Sequence, residues 1–162
     1  MSIVQAIVSC GGCCGKRDRL VDRRVARSNA SMGTPFPTDT HPLVSTAWLA
    51  TQVGADDLRI VDGSYTSDPT SVDVTDTFRA GHIPGASLFD IREVRNQAHS
   101  APLMLPSAPD FAKAVGAMSI SNQHRVVVYD SGNMLNSGRV WWMFRTFGHH
   151  AVAVLDGGLP KW

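Results

Sequence analysis

Apolar positions along this chain come in short bursts separated by polar stretches that carry Gly and Pro. Val126-Val127-Val128-Tyr129 has no polar alternation, which predicts a strand buried on both faces. Leu58–Val61 is a second such burst, ending in Asp62-Gly63, as an inner strand does where it stops at a functional edge. Ala151–Leu155 predicts a further buried strand, closed by Asp156-Gly157-Gly158, and Ala86–Phe89 a short one. Between these bursts the spacing changes. Phe111, Ala114, Val115 and Met118 recur near every 3.6 residues after Ser107 and Pro109, which predicts a helix. Ser45 is a good N-cap for a short helix over Thr46–Gln52 that ends near Gly54. Val74–Ala80 reads as a helical turn leading into Gly81, and Arg139–Phe147 as a helix stopped by Gly148. Strands alternating with helices, without a hairpin signal, predict an α/β fold whose parallel sheet is covered on both faces.

Composition narrows the function classes. A length of 162 residues suffices for one domain with a real core, and 43% hydrophobic with 18% charged residues are globular values. A formal net charge of +1 gives no reason to expect nucleic acid or an anionic membrane as partner. No apolar run approaches the roughly 18 residues of a membrane span, so a soluble protein is expected. Cys10, Cys13 and Cys14 all fall at the amino terminus, so no disulfide framework is expected in the folded region. An intracellular, reducing compartment fits best, with the cytoplasm expected and a mitochondrial location as the alternative.

Residues 1–40 read as an extension and linker. Asp18 and Asp22 interrupt the cluster of Lys16, Arg17, Arg19, Arg23, Arg24 and Arg27, unlike a transit peptide, which is poor in acid. Met32-Gly33-Thr34-Pro35 offers a second candidate start, so the true start is Met1 or Met32.

The run Phe78-Arg79-Ala80-Gly81-His82-Ile83-Pro84-Gly85-Ala86 places one imidazole among residues whose backbone is permissive or locked. It predicts a rigid turn. The residues alone leave two readings of His82 open: a turn histidine bonded to backbone carbonyls, or a functional group.

The Gly-His-Ile-Pro-Gly-Ala hexapeptide resembles that of rhodanese-type sulfurtransferases. Leu58-Arg59-Ile60-Val61-Asp62, Met104-Leu105-Pro106, Val126–Asp130, Arg139-Val140-Trp141-Trp142-Met143-Phe144-Arg145, Phe147-Gly148-His149 and Leu155-Asp156-Gly157-Gly158-Leu159 follow in the family's order. The Trp-Trp and Met-Leu-Pro pieces are similar to the amino-terminal half of two-domain thiosulfate or 3-mercaptopyruvate sulfurtransferases. The resemblance covers about His41 to Trp162. It implies a rhodanese-like α/β domain over 41–162 with a mostly parallel sheet, helices on both faces, and a chain cut short at its C-terminal helix. One sheet face is then expected to lack cover, with reduced stability and a tendency to associate.

Sulfur transfer needs a thiolate placed where backbone N–H groups and a helix N-terminus stabilise negative charge. By resemblance, the position of a catalytic domain's cysteine is Asp130, at the start of the loop 130–138. A carboxylate there cannot carry a persulfide. The resemblance therefore implies a half that lacks the nucleophile, works on a small sulfur donor only in the complete enzyme, and pairs with a C-terminal rhodanese domain in cis or in trans. His82 is expected to face the cleft as a proton relay, oriented by Asp73 or, as the other candidate, Asp62. Here the chain has Ser71-Val72-Asp73-Val74-Thr75 where the family often has Gly-Arg-Asp-Ala-Arg. Arg139 is expected either to bind substrate anion or to tie Asp130 or another acid into a salt bridge. Trp141 and Trp142 read as packing, and His149 and His150 as a helix cap. No cofactor is implied. The spacing of His41, His99 and His124 suggests no metal site.

The alternative reading is an inactive rhodanese-like module that binds or regulates a partner. A remoter one is a thiol phosphatase loop from Cys13 to Arg19, in which Asp18 would repel the phosphate. Cys10-x-x-Cys13 has no second ligand pair for zinc.

Overall fold

The computed structural model describes Phe36 and residues 41–68, 70–132 and 134–162. Cys10, Cys13, Cys14, the Met32 start and nearly all of the predicted 1–40 extension lie outside the described residues. The elements run β1 (Leu43–Val44), α1 (Thr46–Gln52), β2 (Leu58–Asp62), α2 (Val74–Ala80), β3 (Ala86–Leu88), α3 (Ala108–Ala117), β4 (Arg125–Tyr129), α4 (Leu135–Thr146), β5 (Val152–Leu155) and α5 (Gly158–Lys161).

The five strands form one sheet of order β1-β5-β4-β2-β3, with every pairing parallel. Ile60 pairs with Val127 and Asp62 with Tyr129, so β2 and β4 end level with each other. The β-branched run is central: Val126, Val127, Val128 and Tyr129 are all 0% exposed. One face packs Val61, Val126 and Val128 against Phe111 and Val115 of α3 and Val140, Met143 and Phe144 of α4. The other packs Ile60, Val127, Tyr129, Ala153 and Leu155 against Trp48 and Leu49 of α1, with Ile83 and Leu159. That second face is not bare, contrary to expectation: Ala153 and Leu155 are 0% exposed. The turn after α2, the first helix and the short α5 cover it within this chain.

Local chemistry accounts for the helix starts. Ser45 Oγ accepts the N–H of Trp48 at 3.1 Å, and Ser107 Oγ accepts that of Asp110 at 3.3 Å. Neither α4 nor the short α5 has such a cap, and α4 begins at Leu135 rather than at the predicted Arg139. Its N-cap, Met134, has the left-handed φ of 63° and no capping side chain of its own. The first turn is capped instead by Asp130 from outside the helix (below).

His149 also departs from its expected role. Its backbone N–H does close α4 on the carbonyl of Phe144 at 2.9 Å. Its ring, however, is buried against Phe144. Burial holds the imidazole below its ordinary pKa, so it is not a cationic partner for the helix dipole.

Candidate functional site

The sheet order reverses between β2 and β4: the chain leaves β2 towards β3 on one side and β4 towards β5 on the other. In an open parallel sheet, the carboxyl ends of strands at such a reversal frame a crevice suited to ligands. Here the two strands end in Asp62 and, one residue beyond Tyr129, in Asp130.

Asp130 is 1% exposed, and its carboxylate is held by its own loop. Oδ1 accepts the N–H groups of Gly132 at 3.0 Å and Met134 at 3.1 Å, and Oδ2 that of Ser137 at 2.9 Å. The last is an N–H of the first turn of α4, where a helix welcomes negative charge. The loop thus forms a three-donor anion cradle filled by its own side chain. The main-chain oxygen of Asp130 is used as well, accepting the N–H of Leu159 at 2.9 Å. Gly158, at φ 56°, makes this approach possible, because a Cβ there would lie 2.5 Å from that oxygen.

The loop after β2 is tied to this cradle. Asp62 is 2% exposed and accepts the N–H of Ser64 at 2.9 Å. Ser64 Oγ accepts the N–H of Ser131 at 2.9 Å, and Asn136 donates from Nδ2 to the carbonyl of Tyr65 at 3.0 Å. Burial, and then the charge of Asp62, push the Tyr129 phenol well above its ordinary range. Its oxygen accepts the N–H of Ile83 at 3.3 Å.

The other expected site residues are arranged differently. Asp73 caps α2, accepting the N–H of Thr75 at 2.7 Å, and reaches Arg92 at 3.4 Å. That backbone bond is the main reason its carboxyl sits below the usual range. His82 is exposed, stacks on Phe78 with ring centroids 4.1 Å apart, and has Nδ1 2.8 Å from the Phe78 carbonyl oxygen. Among the described residues neither Asp73 nor Asp62 bonds it. His82 enters the sheet ahead of β3, whereas Asp130 leaves it after β4. Asp62, Asp130 and Arg139 are therefore gathered at one edge of the sheet, while Asp73 and His82 mark the two ends of α2.

Arg139 makes no ion pair with Asp130. Its Nη2 donates to the carbonyl of Leu103, while its buried Nε has no partner among the described residues. It lines a groove of about 570 Å³ with Tyr65, Leu103, Leu135, Asn136 and Trp142. Trp141 does pack, donating to the Val152 carbonyl at 3.1 Å, but Trp142 is 45% exposed. Tyr65 and Asn136 escaped the sequence reading. An aromatic residue set in a polar loop just past Asp62-Gly63 was the signal available for the first.

Residues 45–162 match the rhodanese-like domain. The chain belongs to that family. The chain is 38% identical over 135 residues to thiosulfate/3-mercaptopyruvate sulfurtransferase 1, mitochondrial, of Arabidopsis thaliana, covering 83% of this chain and 36% of the relative. It is 46% identical over 126 residues to the thiosulfate sulfurtransferase of Bos taurus, covering 74% and 42%. Among solved structures, SseA from Escherichia coli, a 3-mercaptopyruvate sulfotransferase of rhodanese fold, superposes with a TM-score of 0.71 at 35% identity. That match covers 75% of this chain and 47% of SseA. The chain thus spans less than half the length of each.

Proposed function

We propose that this rhodanese-like domain is the non-nucleophilic half of a thiosulfate or 3-mercaptopyruvate sulfurtransferase. The observation that carries the reading is the filled cradle. At the end of β4, three backbone donors converge where sulfur chemistry requires a thiolate, and the group they hold is the carboxylate of Asp130. In the complete reaction a cysteine thiolate takes the donor's outer sulfur, either as the S–S bond of thiosulfate breaks and sulfite leaves, or as the C–S bond of 3-mercaptopyruvate breaks and pyruvate leaves as its enolate, which takes up a proton. The resulting persulfide then gives that sulfur to cyanide or a thiol. Asp130 has no sulfur with which to form the S–S bond, so the nucleophile comes from a second rhodanese domain, in cis or in trans. This half supplies the groove beside the cradle. Asp62 orders the loop that carries Tyr65, and Asp73 fixes α2 so that His82 presents an exposed Nε2. We place the protein in the cytoplasm, with the mitochondrion as the alternative.

Purified 1–162 is expected to give no thiocyanate from thiosulfate or 3-mercaptopyruvate with cyanide. Turnover abolished by Cys13→Ser would overturn the proposal. The variant Asp130→Cys is expected to gain one sulfur atom by mass on incubation with thiosulfate, because the donors that now hold the carboxylate would hold a thiolate.

The second reading, a catalytically silent docking module, is favoured by the apolar residues left exposed in the groove beside the cradle: Leu135 at 72% and Trp142 at 45%. Mixing the chain with a thiol-bearing rhodanese domain separates the two readings. Gain of sulfur transfer supports an enzyme half, and complex formation only with an unrelated protein supports the module.

A further inference from the structure

We infer that Trp48 and Arg125 form a docking cup for a single aromatic side chain, and that Phe36, from the segment ahead of β1, fills it as a clasp that holds β1 in the sheet. Arg125 opens β4, and its partner Asp57 immediately precedes β2. The cup therefore lies at the edge of the sheet opposite Asp130, and the inference stands apart from sulfur transfer.

The walls of the cup are fixed by the domain itself. Arg125 donates from Nε to Asp57 Oδ2 at 2.8 Å, and from Nη2 to Asp57 Oδ1 at 2.9 Å and Gln52 Oε1 at 3.1 Å. A guanidinium held along its edge in this bidentate way keeps its flat face for aromatic rings. Its Cζ lies 5.6 Å from the ring centroid of Trp48 and 5.6 Å from that of Phe36, both within cation–π range. The two rings are 5.7 Å apart and tilted by 49°, a favourable arrangement for an aromatic pair. Trp48 is only 8% exposed, so it is a wall of the core, and Phe36 packs half-buried against the same apolar layer. An aliphatic side chain in place of Phe36 would fill the space without offering the cation a ring face.

The strand that follows needs such help. β1 is two residues long and sits at the edge of the sheet, bonded among the described strands to β5 alone. Its attachment shows in two bonds: the N–H of Val154 to the carbonyl of Pro42 at 2.7 Å, and that of Asp156 to the carbonyl of Val44 at 2.9 Å. Only residues 37–41 separate Phe36 in its cup from Pro42 on β5. Two anchors on so short a stretch act as a bivalent attachment. With one engaged, the other meets its seat at an effective concentration on the order of millimolar or above. The anchors also share a wall, since Val44 is buried in the same apolar layer as Trp48. Phe36 thus belongs functionally to the domain, although it falls within the stretch that the sequence assigns to a linker.

The test compares the full chain with its Phe36→Ala variant by amide hydrogen exchange. The N–H groups of Val154 and Asp156, which report on β1, are expected to exchange roughly tenfold faster in the variant, while that of Ser137, bonded to Asp130, keeps its rate. Phe36→Leu, which keeps the apolar volume and loses the ring face, should give an intermediate acceleration, and it serves as the readout should Phe36→Ala fail to fold. A synthetic peptide of residues 32–41, added at about millimolar concentration, should shift the Trp48 indole N–H signal of Phe36→Ala saturably and leave that of the unaltered chain in place. The same peptide carrying Phe36→Ala should shift neither. Unchanged exchange at Val154 and Asp156, an equal acceleration at Ser137, or equal peptide shifts in both chains would each overturn the inference. So would exchange rates in the unaltered chain that depend on protein concentration, since a second copy would then supply the ring.

Discussion

Asp130 stabilises the fold through the same bonds that occupy its cradle. Asp130→Ala would strip the N–H groups of Gly132, Met134 and Ser137 of their acceptor, at a cost of about 2–4 kcal/mol. Urea unfolding monitored by tryptophan fluorescence measures this directly. His149 gives the protein an acid-sensitive point. Its folded pKa lies below the ordinary 6.5 because burial disfavours the charged ring. As the pH falls through the unfolded value, the unfolded chain therefore takes up the proton first. The contribution of His149 is fully present above that value and is lost as the pH falls towards the lower folded one. The urea midpoint should drop between about pH 7.5 and about pH 5.5, and less steeply in His149→Leu. Not all of this was open to sequence reasoning. That Asp130 ends a buried strand is legible from Val126–Tyr129, whereas its three partners depend on loop dihedrals. The expected pairing of His82 with an acid gave way to a partner only one helical turn back, the Phe78 carbonyl.

Elements meet where glycine lets them. Gly63 at the end of β2 leaves room for Val140 of α4, whose Cγ2 would lie 2.9 Å from an added Cβ. Gly158 does the same for α5 against Asp130. Gly158→Ala combines a left-handed backbone with a 2.5 Å contact on a main-chain oxygen, and should cost about 1–3 kcal/mol. Amide exchange at Leu159, whose N–H bonds Asp130, should accelerate with it. Four of the five described strands and most helices were legible at this scale because each carries its own signal, such as β-branched runs for β4 and β5 and Ser N-caps for α1 and α3, whereas the two-residue β1 carries none. The start of α4 was not, since its cap comes from seven residues upstream and Ser137-Gly138 in its first turn are poor helix formers. The groove was not legible either. Leu103 and Arg139 lie far apart in sequence, and only the packed structure brings that carbonyl to that guanidinium.

Across the whole molecule, the sheet joins two apolar layers into one unit. Phe111 sits at 0% exposure on one face, in contact with Phe144 and Phe147, and Leu49 at 0% on the other. Phe111→Ala should cost about 3–5 kcal/mol and Leu49→Ala about 2–5 kcal/mol. Both losses should appear in a single transition that coincides by fluorescence and far-UV circular dichroism. Two separate transitions would show that the layers unfold independently. The family's fold was expected from many short agreements spread along the chain, and the parallel order follows from alternating strands and helices. The covered second face was not foreseen, because the chain was expected to be cut short at its C-terminal helix and the turn carrying Ile83 was read for its histidine alone. The edge of this sheet also sets a schedule. Among the described strands β1 pairs only with β5, more than a hundred residues away in sequence, and β5 must itself dock on β4. During synthesis the first of the described strands to emerge from the ribosome is therefore the last of them to find its neighbour. Until Leu155 has left the exit tunnel, Leu43 and Val44 remain open to other strand edges, which is the interval in which chaperone capture would matter most.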